Sequence, residues 1–208
     1  MNGYFRDAIR LLFVLSEGSQ LLIEPIGNAT HIFRGEARLH ALDFWMRYPD
    51  YLASELLDRF ERSGRHGDLA LSRSIVSSDE PDLRRLPMMR YFFGAFDPID
   101  NAISILKSRG LVTITGRKSG NSIIETNFLV YPKAFEVCEA AIRTAPVLQW
   151  YRDRAKVVCD LAGSDSGGAL KARQYKRSQY AETKRGSLIP SIADDVRKRL
   201  DAITRKED

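Results

Sequence analysis

The sequence predicts a mainly α-helical fold with a small β-hairpin. Apolar residues recur at intervals of three and four along most of the chain, which is typical of amphipathic helices. Residues 111–130 instead combine two extended apolar runs with a short polar loop between them, the pattern of a hairpin. The chain has 208 residues, 44% of them apolar, so it is long enough to form a packed core in one large or two small domains.

The N-terminal segment, residues 1–36, has the weakest pattern. Residues 4–15 form a nearly continuous apolar run that fits a helix or a strand, and we favour a helix. Glycine and proline interrupt the following stretch. Within it, residues 21–23 and 31–33 are predicted as short strands or extended loop.

Residues 37–61 have a helical pattern that Pro49 interrupts. Proline has no N–H to donate and disfavours helical geometry at the preceding residue, so two helices should meet near Tyr48. Asp50 is a candidate cap for the second helix. Residues 62–82 are rich in Ser, Gly, Asp and Arg, and they predict a loop with one short helix.

The central helix, residues 99–108, is followed directly by the hairpin. Its apolar face consists of Ile99, Ala102, Ile103 and Leu106. Gly110 suits the left-handed position that ends a helix, and strands at 111–115 and 123–130 follow. A helix leading into a hairpin is the signature of a winged helix. We therefore predict a winged-helix-like core which, with its flanking helices, spans residues 37–162.

Peripheral and C-terminal helices should follow the hairpin. Apolar spacing predicts helices at 133–143 and 147–161, each beginning beside a proline. Residues 163–168 are small and polar, so we predict a flexible linker over residues 163–170. Residues 171–208 hold a basic segment and a last amphipathic helix, which should dock either on the chain's own body or on a partner. Its apolar stripe consists of Ile192, Val196, Leu200 and Ile203.

The positive charge is concentrated in residues 171–185. This segment has six basic residues against Glu182 alone, so it accounts for the whole formal charge of +5. Attraction to polyanions should arise here. Interleaved Tyr175 and Tyr180 are compatible with nucleic-acid binding, whereas a solvated helix face explains the composition equally well. The candidate phosphate contacts are Lys176, Arg177, Lys184 and Arg185.

The central helix and the wing offer a second candidate DNA surface. Asn101 and Lys107 lie on the polar helix face and are candidates to read base edges, while Arg117 and Lys118 in the wing are candidates to hold phosphates. This charge is small for a duplex-binding module, which normally neutralises several phosphates. We therefore favour a protein-docking role for the winged helix.

Enzymatic motifs are weak in this sequence. The Asp-Ser-Gly-Gly motif at 165–168 is similar to the nucleophile loop of trypsin-like proteases, but it lies between predicted helices and not in an all-β double barrel. The three histidines lack metal-ligand spacing, and the glycines at 116–120 lack the Gly-Lys-Ser/Thr ending of a phosphate loop. We predict a protein that is not an enzyme and uses no metal or cofactor.

The compartment expected from the sequence is the cytoplasm. No apolar run reaches the roughly 18 residues of a membrane span, and no signal peptide is recognisable, so no membrane partner is expected. Cys138 and Cys159 fit reduced, buried thiols better than a disulfide or a zinc site.

Two aromatic-rich stretches, residues 44–51 and 88–96, contain more large rings than a core needs. Rings left on the surface would form a docking patch. The candidate docking residues, including the stripe of the last helix, are Trp45, Tyr48, Tyr91, Phe96, Ile192, Val196 and Leu200.

These two stretches also carry a family resemblance. The segments are Leu42-Asp43-Phe44-Trp45-Met46-Arg47-Tyr48-Pro49-Asp50-Tyr51-Leu52 and Pro87-Met88-Met89-Arg90-Tyr91-Phe92-Phe93-Gly94-Ala95-Phe96-Asp97, the second leading to Arg109-Gly110-Leu111-Val112. They resemble the middle component of bacterial ABC three-component systems, the group that includes the small subunit of Lamassu-type defence. The similarity covers roughly residues 37–142. Where the family often has a second aromatic residue or Trp in its Gly-x-[Trp/Phe]-Asp turn, this chain has Gly94-Ala95-Phe96-Asp97.

The resemblance implies a non-catalytic accessory subunit of an SMC-like ATPase complex that acts against phage or plasmids. Such a subunit bridges the ATPase and a nuclease-type effector, with double-stranded DNA near the ATPase heads as a further partner. The residues alone leave two alternatives. One is a winged-helix transcription regulator that binds DNA through Asn101, Lys107 and the wing, and the weaker one is a small hydrolase that uses Ser166.

Overall fold

The computed structural model describes residues 3–92, 94–119 and 122–207. It is mainly helical with a small antiparallel β portion, which confirms the predicted fold class. The helices are α1 (Gly3–Gly18), α2 (Glu36–Arg47), α3 (Pro49–Ser63), α4 (His66–Ser77), α5 (Glu80–Leu83), α6 (Asp100–Ser108), α7 (Pro132–Thr144), α8 (Gln149–Ala162), α9 (Gly167–Gln174), α10 (Ser178–Ala181) and α11 (Ala193–Glu207). The strands are β1 (Gln20–Ile26), β2 (Ala29–Arg34), β3 (Met89–Tyr91), β4 (Gly94–Phe96), β5 (Val112–Ser119) and β6 (Ser122–Val130). Among the described residues, no helix is both long enough and apolar enough to cross a bilayer.

The chain forms two compact units, and each unit is assembled from two separate stretches of sequence. The first comprises Met1–Asp43 and Asp97–Leu170, and the second comprises Phe44–Phe96 and Lys171–Asp208. This division differs from the continuous core expected at residues 37–162. Residues distant in sequence pack together within each unit, which local sequence patterns do not reveal.

The first unit contains the predicted helix and hairpin. Helix α6 leads into β5, which pairs with β6 from Val112 opposite Val130 to Ser119 opposite Ser122. The sheet is larger than the predicted hairpin, because β1 and β2 are regular strands and extend it in the order β1-β2-β6-β5. All its neighbouring strands are antiparallel.

Residues 4–15 lie within a helix, as favoured from the sequence. The apolar run of α1 is buried because the helix packs against α6, α7 and α8 within the first unit. The buried Arg10 guanidinium donates to Asp43 at 2.5 Å and to Asp7 at 2.7 Å. Burial lowers the pKa of Arg10, but these two carboxylates outweigh it, so the net shift is upward. The arginine therefore stays charged inside the unit.

The segment predicted as a flexible linker, residues 163–170, is a packed turn followed by the first turn of α9. The Arg38 guanidinium donates to the carbonyl oxygens of Gly163, at 2.8 Å, and Asp165. Gly167 lies so close to α2 that a Cβ there would stand 2.5 Å from the Arg38 amide nitrogen. The prediction of a flexible linker is wrong, because a residue without a side chain, such as Gly167, permits close packing as well as flexibility.

An aromatic cluster forms the centre of the second unit. Its fully buried rings belong to Phe44, Trp45, Tyr48, Tyr51 and Tyr180. Helices α2 and α3 separate at Pro49, as predicted, with the proline in the first helical turn. The predicted loop at 62–82 is mostly helical instead, since α4 and α5 occupy it.

Strands β3 and β4 form a separate two-stranded hairpin in the second unit. The chain at residues 186–189 runs along the outer edge of β3, where Arg90 donates to Ser187 at 2.9 Å and Gly186 donates to Arg90 at 2.8 Å through backbone groups. The Tyr48 hydroxyl accepts from the Met88 amide at 2.9 Å and donates to the Ile189 carbonyl at 3.1 Å. These bonds fix the hairpin on the aromatic cluster.

Candidate docking and DNA-binding surfaces

Most of the predicted docking residues lie inside the second unit. Trp45 and Tyr48 are fully buried, and the Arg173 guanidinium covers the Trp45 ring at 4.9 Å. Three residues of the apolar stripe, Ile192, Val196 and Leu200, are buried as well, because α11 packs against α3 and α4 of its own unit. The partner-docking prediction is therefore wrong for Trp45, Tyr48, Ile192, Val196 and Leu200. The last helix docks instead on the chain's own body, which was one of the two expected alternatives.

Tyr91 and Phe96 are exposed, with 50% and 41% of their surface accessible. Three further apolar residues, which were not among the named docking candidates, are exposed beside them on the β3–β4 hairpin and on the chain along its edge. We call this set the hairpin patch; its members are Met89, Tyr91, Phe92, Phe96 and Leu188.

Strand alternation explains why one face of the hairpin is apolar and exposed. Successive side chains of a strand point to opposite faces, so Met89 and Tyr91 lie on one face of the hairpin and Arg90, between them, is buried on the other. Phe96 is the cross-strand partner of Met89 and lies on the same face as it. The Tyr91 ring centroid lies 5.6 Å from that of Phe96. The alternation of Met89, Arg90 and Tyr91 was visible in the sequence, but the sequence alone does not say which face is covered.

Both edges of the hairpin are engaged within the second unit. Leu188 forms a β-bridge with Met89 on one side. On the other side the Ala95 amide donates to the Tyr180 hydroxyl at 2.6 Å. Burial raises the pKa of Tyr180 to about 12, so this phenol remains protonated near neutral pH. A binding partner can therefore reach the exposed apolar face of the hairpin but not its edges.

The basic segment divides into internal and outward cations. Arg173 forms an ion pair with Glu55 at 2.9 Å, and the Arg177 guanidinium is bound to Asp58. Arg177, a candidate phosphate contact, is thus neutralised by an ion pair within the second unit. The three remaining candidates in this segment are exposed: Lys176, Lys184 and Arg185.

Arg185 adjoins the hairpin patch directly. Its guanidinium carbon lies 4.3 Å from the centroid of the Phe92 ring, within the range of a cation–π contact. Neither Lys184 nor Arg185 forms an ion pair within the described residues. An apolar surface and uncompensated positive charge therefore lie side by side.

Helix α6 presents the other candidate DNA surface, in the first unit. Asn101 and Lys107 are exposed, as a reading helix requires. Lys133, which was not among the predicted DNA-contact residues, is also exposed near the C-terminal end of α6. Its ammonium group donates to the Arg109 carbonyl at 3.2 Å. Arg117 and Lys118 belong to β5 by their backbone, but their side chains lie outside the described part of the structure.

Ser166 has a structural role at the start of α9. Its hydroxyl oxygen accepts from the Ala169 amide at 3.2 Å, as an N-cap residue does. It lines a cavity of about 270 Å³, and the described residues around that cavity include no histidine that would act as its base. Over the described parts of the chain, no group of three or more His, Cys, Asp or Glu side chains is placed to hold a metal ion.

The two cysteines are free thiols. Cys138 is buried, with its sulfur 3.6 Å from the Ser16 hydroxyl oxygen, and Cys159 is half-buried. Burial raises the pKa of Cys138 to about 11 and that of Cys159 to about 12. Both thiols should therefore be weak nucleophiles at neutral pH.

Comparison of the chain with protein-family models, curated proteins and solved structures gives no match. The resemblance based on residues 42–52 and 87–97 therefore stays a prediction.

Proposed function

We propose that this chain is a non-catalytic accessory subunit of an SMC-like ATPase complex that acts against phage or plasmids. It bridges the ATPase and a nuclease-type effector in the bacterial cytoplasm, and it contacts double-stranded DNA as a secondary role. The proposal needs a stable scaffold and at least one accessible binding surface, and it requires no bond-making chemistry from this subunit.

The observation that carries the proposal is the contact between the two segments on which the resemblance rests. Tyr48, from the first segment, accepts a hydrogen bond of 2.9 Å from the Met88 amide of the second segment. Tyr48 and Met88 are 40 positions apart in the sequence, yet the two segments form one buried junction. This junction supports the view that both motifs serve one structural unit, whose outer face is the hairpin patch.

The division of charge supports protein bridging over DNA binding as the main role. A duplex-binding module neutralises several phosphates. On the second unit Arg173 and Arg177 are committed to Glu55 and Asp58. DNA binding is therefore a secondary role in this proposal, and exposed cations such as Lys107 would contact the phosphates.

Co-expression with the genes on either side of this one tests the proposal. The tagged chain should co-purify with an SMC-like ATPase and an effector, and deletion of this gene should abolish plasmid loss or phage resistance conferred by the set. Purification as a stable monomer without either neighbour would contradict the proposal.

A winged-helix transcription regulator is the second candidate, favoured by the exposure of Asn101 and Lys107 on α6. It predicts sequence-dependent duplex binding that is lost in Asn101→Ala or Lys107→Ala. Selection from random duplexes tests this role, and recovery of no preferred sequence would exclude it.

A further inference from the structure

We infer that the hairpin patch, together with Lys184 and Arg185, binds an acidic amphipathic helix of another polypeptide. This inference rests on the proposed function in one respect: it takes from it that a protein subunit binds to this surface. It adds the location of the docking surface and the chemistry of the segment that occupies it.

The composition of the patch matches the centre of a protein interface. Aromatic residues, Met and Arg are enriched at such centres, and the residues that dominate binding are mostly aromatic or Arg. The patch contains three aromatic rings and two aliphatic side chains, and Phe92 and Leu188 are exposed by 54% and 59%. An isolated exposed apolar residue needs no explanation, whereas a contiguous set of five indicates a binding surface.

Charge complementarity specifies the partner. Arg185 lies at the border of the patch, and Lys184 precedes it in the chain. Neither has an ion pair in the described chain, although Arg173 and Arg177 of the same basic segment are both paired. Carboxylates on an incoming helix would supply the missing partners. Such a helix places apolar side chains on one face and acidic groups beside them, so it meets the patch and the two cations together.

Strand addition to the hairpin is disfavoured by the hydrogen bonds at its edges. Residues 186–189 occupy the edge of β3, and the Tyr180 hydroxyl accepts from the outward amide of Ala95 on β4. A partner must therefore bind through side chains on the exposed face, as a helix does when it lies across an apolar surface.

Single-stranded nucleic acid fits this surface less well than a helix. Base stacking requires open ring faces. The Arg185 guanidinium stands over the Phe92 ring at 4.3 Å, and the Tyr91 and Phe92 planes are inclined by 81° to each other. The rings thus pack against each other and against the arginine, and Met89 and Leu188 add aliphatic surface that bases do not use.

A matched pair of fluorescent helical peptides tests the inference directly. Both probes have a leucine stripe and about 18 residues, enough to form a helix on binding. One probe carries Glu at its polar positions and the other carries Lys. The full chain should bind the Glu probe, and fluorescence anisotropy should show binding about tenfold or more weaker for the Lys probe, since like charges would face Arg185.

Three variants locate the binding site. The double variant Tyr91→Ala with Phe96→Ala should weaken binding of the Glu probe about tenfold or more, as loss of central aromatic residues does. Arg185→Glu should weaken it while leaving the apolar residues in place. Ile23→Ser is the control, because Ile23 is fully exposed on β1 in the first unit. It should leave the affinity unchanged, and circular dichroism checks that all variants are folded.

The inference is overturned if the Glu probe does not bind, if the Lys probe binds equally well, or if neither patch variant weakens binding. It is also overturned if an oligothymidine binds the same residues and displaces the Glu probe. Co-expression separates the inference from the proposed function. If the ATPase and the effector both co-purify equally with wild type and with the Tyr91 and Phe96 double variant, the docking site is wrong and the function stands. If no neighbour co-purifies but the Glu probe binds at the patch, the function fails and the docking surface stands.

Discussion

The carboxylate of Asp50, on α3, accepts a hydrogen bond of 2.7 Å from the backbone amide of Ile192, just before α11 begins. The same carboxylate oxygen accepts from the Ser191 hydroxyl at 2.7 Å. Asp50 was expected to cap α3, but the N-cap position of that helix belongs to Tyr48. The fully buried carboxylate instead holds the start of a helix about 140 residues away in sequence.

Replacing Asp50 should loosen α11. Asp50→Ala leaves the Ile192 amide and the Ser191 hydroxyl without their acceptor, and hydrogen bonds to a charged group contribute roughly 1.5–3 kcal/mol each. We expect the free energy of unfolding in urea to fall by about 3–6 kcal/mol, with faster proteolysis within α11.

Asp194→Ala is the matched control for this variant. Asp194 lies in the first turn of α11, where its exposed side chain contacts Arg197 at 3.0 Å. A surface pair of this kind contributes about 0–1 kcal/mol. Equal destabilisation by both variants would refute the role given to Asp50.

The two neighbouring glycines at the start of α9 should respond differently to alanine. At Gly167 a Cβ would stand 2.6 Å from the carbonyl carbon of Ala37, so the backbone must move, at an expected cost of about 1–3 kcal/mol. At Gly168 the nearest atom is 3.9 Å away, and alanine should be neutral or stabilise by up to about 1 kcal/mol. Thermal unfolding measures both. Equal melting temperatures for the two variants would mean that this turn is not packed as described.

The two thiols should resist alkylation in the folded protein. Burial raises the pKa of Cys138 to about 11, whereas a thiol in the unfolded chain titrates near 8.5. Iodoacetamide at pH 8 should therefore label the folded chain much more slowly than the chain in guanidinium, as mass spectrometry would show.

The same shift has a defined consequence for stability. The folded state retains its thiol protons at a pH where the unfolded state has lost them, so the thiol contribution to the free energy of unfolding is present below about pH 8.5 and declines as the pH rises towards 11. In the alkylation experiment, fast reaction with iodoacetamide at pH 8 under native conditions would contradict the burial of the two cysteines.

Duplex binding should depend on Lys107 and not on Arg177. Each lysine that touches a phosphate contributes about 0.9 to the slope of log K against log salt concentration. Lys107→Ala should reduce that slope by about this amount, since Lys107 is exposed. Arg177→Ala should leave it unchanged, because Asp58 holds that guanidinium. A greater loss of slope for Arg177 than for Lys107, measured by fluorescence anisotropy between low and high salt, would reverse this assignment.

Local sequence patterns were sufficient for the central helix and its hairpin. The spacing of Ile103 and Leu106 and the glycine at 110 are properties of neighbouring residues, and α6 follows them closely. Strand β5 begins as predicted but continues to Ser119, through residues that were predicted as loop. Pro49 likewise marks the boundary between α2 and α3, because its effect on the backbone is local. In these parts of the chain the local signals for helices and turns were therefore sufficient, whereas they did not reveal the extent of α4.

The candidate sites depend on long-range packing that those patterns do not contain. Tyr48 and Tyr91 both lie in aromatic-rich stretches, yet Tyr48 is buried and Tyr91 is half exposed. Arg177 reads as a phosphate contact in its own segment, but its partner Asp58 is 119 residues away. Composition indicated which residue types were candidates for an exposed patch, whereas tertiary structure decided which of them reach the surface.

Hydrogen–deuterium exchange on the co-purified complex tests the central claim, that this chain works by holding other molecules together. The account predicts that binding of the ATPase or the effector slows exchange in the peptide that covers β3 and β4, with no comparable change in β1. A complex that forms without protecting this hairpin, or a chain whose exchange is unaffected by either neighbour, would contradict it.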